Sequence, residues 1–254
     1  MEMNVTQQSA LPKVSQNPIN YLRAYWYMGK AIVEVKGATG FRPDGVPEPV
    51  IYTKYGNWTI AQLYDKKMIV WDPKVSLRSD GDVIPHEVFH YAQERYRARS
   101  GDPESELRFV LSQSTKAGVM RAAVLWNGAN EAGAYVFGYR SMYKRQYSGP
   151  ELTKKILRKL IEWNGGQDID EIKTEVLDLI FMRTELKSYE DQEVMRRLST
   201  PVITAIILEQ NHFDTIKTVN DLLQSPDKTI ERIKALGYDG ALKSLENARN
   251  FMLN

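Results

Sequence analysis

The feature that most restricts this chain is a proline placed one residue ahead of a pair of histidines. Pro85-His86-Glu87-Val88-Phe89-His90 contains His-Glu-x-x-His, and it uses two of the three histidines in 254 residues. Proline inside a helix removes a backbone donor and is accommodated only in the first turn, where that donor has no partner anyway. A helix carrying the motif must therefore begin just before it, near Asp82, a residue type suited to an N-cap. Ser100-Gly101 is its expected end. On such a helix His86 and His90 share one face, with Cβ atoms roughly 6 Å apart. Two imidazoles so placed can hold one metal ion at about 2.0–2.1 Å. Glu87 is turned by about 100° from His86, beside the ion, where its carboxylate can take a proton from water held there. Histidines at this spacing also occur as ordinary core or surface residues, but a chain with so few of them seldom meets the pattern by accident. Ile84, Val88, Phe89, Tyr91 and Ala92 are uncharged, as expected where the other helix faces are buried.

A tetrahedral catalytic zinc takes three protein ligands and leaves one position open, so a further ligand must come from elsewhere. Glu131 is the first choice. It sits among Ala129, Ala132, Gly133 and Ala134, small residues that let two helices approach closely, and a charge amid such packing needs a partner. Glu94, four residues after His90, is a competitor, although three ligands on one straight helix span too much axial length for one ion. His212 ranks third. Tyr135 lies one turn beyond Glu131 on the same face, where a phenol can donate to a developing oxyanion or simply fill the core.

The motif resembles the active-site helix of the zincin metallopeptidases, in which both histidines bind zinc and the glutamate is the general base. With Glu131 on a later helix, the pattern is similar to the gluzincin branch. The resemblance covers the motif and that one later segment. It departs from the family at Pro85, where zincin helices usually continue upstream, and in a longer interval from His90 to Glu131. It implies a zinc-dependent peptidase with His86, His90 and Glu131 as ligands, Glu87 as base, Tyr135 as oxyanion donor, and a peptide or protein as substrate. The alternative is a non-catalytic helical structural or regulatory protein that keeps a zincin-like metal site.

Composition narrows the rest. Thirty-four Lys and Arg against 32 Asp and Glu give a net charge of +2, which points to neither nucleic acid nor membrane. The absence of cysteine excludes disulfides, thiol nucleophiles and thiolate-bound zinc. No signal peptide or transmembrane run is visible, so a cytoplasmic location is expected. There is no Gly-x-Ser-x-Gly elbow, phosphate loop or dinucleotide fingerprint. The segment 233–241 has only a faint likeness to a helix-hairpin-helix turn and is better explained as a helix cap. The basic run Lys154, Lys155, Arg158 and Lys159 fits one face of an amphipathic helix.

The expected architecture is α+β and predominantly helical, zincin-like, with a small N-terminal sheet lobe (1–101) ending in the metal helix and a larger helical lobe (102–254) supplying the third ligand. Residues 50–55 and 67–71 are rich in β-branched and aromatic types and predict strands, with 58–64 between them a strand or short helix. An edge strand near 68–71 could pair with an extended substrate. For 21–35 periodicity does not decide, and helix is favoured for the first half only. Helices are expected from Asp102-Pro103 to about Gly118, over 119–146 with an interruption near Asn127-Gly128, around 152–163 and 172–180, from a start at Pro201, and around 213–223, 226–236 and 239–252, with Gly237 as a C-cap.

Overall fold

Asn17 opens the first helix, α1 (Pro18–Thr39): its side chain accepts the Ile19 N–H at 3.0 Å, and Pro18 fills the first turn. Gly40 ends it in the left-handed region at φ 74°, donating to the Lys36 carbonyl at 2.8 Å. The helix thus runs through all of 21–35, not only its first half. The computed structural model describes residues 14–52, 61–64, 67–70, 77, 81–113, 115–163, 169–181 and 189–254.

Three short strands follow: β1 (Glu48–Ile51), β2 (Ala61–Tyr64) and β3 (Lys67–Val70), in the order β1-β3-β2. β1 runs parallel to β3 and β2 antiparallel to it. The first strand begins earlier than its sequence suggests and is followed by an isolated Tyr52–Val14 bridge, the rest of the expected strand (53–55) lying outside the described residues. Residues 53–60, 65–66 and 71–76 lie outside the described ones. Because β3 is the middle strand, the stretch near 68–71 is not an edge and cannot pair with a substrate. Met68 and Val70 instead point into the core, fully buried with Ile51.

The motif helix, α2 (Val83–Arg99), starts where Pro85 requires. Its first backbone bond is His86 N–H to the Asp82 carbonyl at 2.9 Å, so Pro85 falls among the donors that have no intrahelical partner in any helix. Asp82 holds the N-cap position, but its side chain makes no capping bond; proline and packing set this start. Ile84, Val88, Phe89, Tyr91 and Ala92 are all buried.

Among the described residues the remainder is mostly helical: α3 (Ser105–Leu111), α4 (Lys116–Tyr143), α5 (Gly149–Trp163), α6 (Ile169–Ile180), α7 (Tyr189–Gln210), α8 (Thr215–Gln224) and α9 (Pro226–Leu253). The molecule is therefore predominantly helical with one small sheet. α3 stops well short of Gly118, and α4 passes through Asn127-Gly128 unbroken. Gly128 serves packing there: a Cβ on it would lie 2.3 Å from Cδ1 of Ile203 on α7. Pro201 also sits inside a helix instead of starting one. An interior proline costs about 3 kcal/mol, which full burial of Val202, Ile203, Ala205, Ile206 and Leu208 around it offsets. α9 bends at Gly237 (φ 66°), dividing it near the expected place. On α5 the basic run is engaged within the fold: Lys154 with Glu151 at 2.7 Å, Arg158 with the Met252 carbonyl at 3.0 Å, and Lys155 over the Tyr143 ring.

α4 is the central element, packed against α2, α7 and α8. Its contact with α2 is close. A Cβ on Gly133 would meet Cε1 of Phe89 at 2.6 Å, and one on Gly138 would meet the Asp82 carbonyl at 3.0 Å and His86 Cβ at 3.3 Å. Phe89 cannot easily yield, being fully buried and stacked on Phe137 with ring centroids 5.3 Å apart. Gly133→Ala is therefore expected to destabilise the fold by about 1–2 kcal/mol, overpacking outweighing the gain in helix propensity. Gly37→Ala on α1, where a Cβ meets nothing within 4 Å, should stabilise by about 0.5–1 kcal/mol. Urea unfolding of the two variants beside the parent checks both signs.

Candidate metal centre

His86 and His90 lie one turn apart on α2, with Nε2 atoms 3.2 Å from one another. Glu131, projecting from α4, reaches both: Oε2 is 3.4 Å from His86 Nε2 and Oε1 is 3.7 Å from His90 Nε2. A tetrahedral ion with bonds of about 2.0–2.1 Å has ligand atoms about 3.3–3.4 Å apart. The separations of 3.2 and 3.4 Å are close to that spacing, the third, 3.7 Å, runs to the other carboxylate oxygen, and the donor set of two imidazoles and one carboxylate suits zinc. Among the described residues this is the one group of three histidine or acidic side chains placed to hold a metal. Glu94 is exposed on α2 and takes no part. His212 follows α7 in a tight turn, at φ 55°, outside the group.

The charges in the cluster sustain one another. Burial by itself lowers the affinity of His90 for its proton, but hydrogen bonding to Glu131 and its negative charge, joined by that of Glu87, raise the pKa to about 9. Burial acts on Glu131 in the opposite sense, raising its pKa. The two histidines more than reverse this and hold its carboxyl well below the usual range.

Glu87 is near these three residues without joining them. Its Oε2 accepts the Leu63 N–H at 2.7 Å, which ties the motif helix to the outer edge of β2. Tyr135 packs its ring against His86, centroids 4.5 Å apart. Burial, and after it the charge of Glu131, pushes the Tyr135 phenol above its ordinary pKa, so it remains a donor.

Sequence reasoning overlooks Gln93. It is buried and accepts from His90 Nδ1 through Oε1 at 3.0 Å, while its Nε2 faces the Leu222 carbonyl of α8 and Oδ1 of Asn130, each at 3.4 Å. Only an amide nitrogen can donate to that carbonyl, so Oε1 must face the imidazole. A proton is thereby fixed on Nδ1, and Nε2, which faces Glu131, is the atom that gives up its proton to an incoming ion. The available signal was a polar residue directly after Tyr91 and Ala92, three positions beyond His90. Nothing local could have indicated Leu63, whose contact with Glu87 is made across the fold.

Comparison with protein families, curated proteins and solved structures yields no match. Among the described residues no helix is long and apolar enough to cross a membrane.

Zinc titration separates these roles. Glu131→Ala should lose far more affinity than Gln93→Leu, for which a loss of about 10–100-fold is expected, and Glu94→Ala should lose none. Below pH 9 an incoming ion must displace the His90 proton. Affinity measured by calorimetry should therefore rise with pH up to about 9, by up to tenfold per unit.

Proposed function

We propose that the protein is a zinc-dependent peptidase with a zincin-like, gluzincin-type site. The observation that carries this reading is the meeting of His86, His90 and Glu131 at 3.2–3.7 Å, with a further carboxylate, Glu87, next to the first histidine and outside the cluster. Zinc held by these three residues would supply Lewis acidity and lower the pKa of a coordinated water to about 7. The remaining roles belong to this chain's own side chains. Glu87 takes the proton released at attack and delivers it to the leaving amine, as a base whose carboxylate adjoins the ligands. Tyr135, kept protonated, donates to the oxyanion as charge develops.

The substrate is a peptide segment in extended form. The outer edge of β2 is the sheet edge whose Leu63 N–H points at Glu87. A carbonyl of the peptide taking that N–H would release Glu87 from its resting bond and free it for proton transfer. The same 2.7 Å bond also favours a second reading, in which Glu87 is a structural tie and the metal a staple of a non-catalytic protein.

Glu87→Gln decides between them. The amide can still accept the Leu63 N–H but cannot take a proton, so zinc binding and thermal stability should be retained. Hydrolysis of an unfolded protein substrate should fall by about 100-fold or more. Chelator-sensitive hydrolysis in the parent that survives unchanged in Glu87→Gln removes Glu87 from the mechanism. No chelator-sensitive hydrolysis in the parent leaves the staple.

A further inference from the structure

α1 is apolar on two opposite faces. Ala24, Met28, Ala31 and Val35 are buried against the rest of the fold. On the outer side Ile19, Leu22, Trp26 and Val33 are 56%, 70%, 71% and 65% exposed, with Tyr25 beside them at 44%. At 100° per residue these four outer positions fall within about 60° of one another, centred opposite the buried face. With Gly29 they follow the 3-4-3-4 spacing of a helix-pairing seam. Gly29 leaves a gap in that seam, since a Cβ built there meets nothing within 4 Å.

We propose that the occupant of this face is a second copy of the same chain, its α1 laid antiparallel on the first about a twofold axis between residues 27 and 28. In an antiparallel seam each first position faces a fourth position of the other helix. The centring then sets Trp26 over Gly29 of the second copy, twice, and Leu22 against Val33, twice. The largest side chain meets the smallest and two middle-sized ones meet each other, so the stripe is complementary to itself under twofold symmetry. A parallel pairing sets Trp26 on Trp26 and leaves Gly29 facing Gly29, a clash beside a void.

With areas of about 150–250 Å² for the aromatic side chains and less for the aliphatic ones, the quoted exposures amount to about 500 Å² of apolar surface per copy. Two copies bring about 1,000 Å², the lower limit of a specific interface, and a patch of this size is often functional. The inference is independent of the metal centre.

Sedimentation of the full chain at tens of micromolar should give twice the 29.2 kDa chain mass. Trp26→Ala should raise the dimer dissociation constant at least about 100-fold, as for a central aromatic anchor lost from both halves. Gly29→Leu removes no contact and favours the helix, so the fold is retained, yet it fills the position that receives Trp26 and should also give monomer. Trp26→Gly combined with Gly29→Trp restores the same pairing and should recover dimer. The chain has no cysteine, so Leu22→Cys mixed with Val33→Cys should form the mixed disulfide, and Leu22→Cys alone should not cross-link to itself. A monomeric parent, a dimer indifferent to Trp26→Ala and Gly29→Leu, failure of the swap in a folded double variant, or self-cross-linking of Leu22→Cys would each overturn the proposal.

Discussion

The candidate site depends on the close approach of α4 to α2. Gly133 and Gly138 lie on the face of α4 turned to α2, with Phe89 at one contact and the start of the motif helix at the other. Two helices bearing ordinary side chains pack with axes about 8–10 Å apart, and glycines at the contact bring them to the near end of such distances. Glu131, just before the first of these glycines, is thereby carried to the imidazoles. Its carboxylate gives the histidines their countercharge, and they keep it ionised despite its partial burial. The arrangement resolves a conflict that a lone buried acid could not, since burial alone would neutralise the group.

Much of this was legible in the sequence because it is local. Pro85 dictates the start of α2 through one missing donor, and His86 and His90 then share a face by helix geometry. Gly237 likewise acts through its own backbone. Glu131 could be picked out because the small residues around it signal helix contact. What escaped reading is held by distant partners. Gly128 looks like a break until Ile203 is found against it, and Pro201 looks like a start until the buried residues after it are seen to carry the helix through. The order of the strands is of the same kind: composition marks 67–71 as a strand, but only pairing on both sides shows that it is central.

α1 explains its own ambiguity. A helix with one apolar face has a clear period, whereas α1 is apolar on its outer face as well as its inner one, which blurs the 3.6-residue signal. The periodicity fails where a second surface is encoded in the same residues. A pattern that resists assignment can thus mark a segment with two sets of contacts, one within the fold and one outside it.

Gln93 joins three helices through one amide: α2 by its own backbone and His90, α4 through Asn130, and α8 through Leu222. Leu222 also lies against Gly133, with its Cβ 3.2 Å from where a side chain there would begin. The orientation of an imidazole is therefore set by the seating of a helix more than a hundred residues away in the chain. Local opening of α8 would release the His90 tautomer before either imidazole or Glu131 had moved. In the proposed zinc-bound protein the ion would in turn hold α8 in place, so that the seating of this one helix and the affinity for metal would each read out the other.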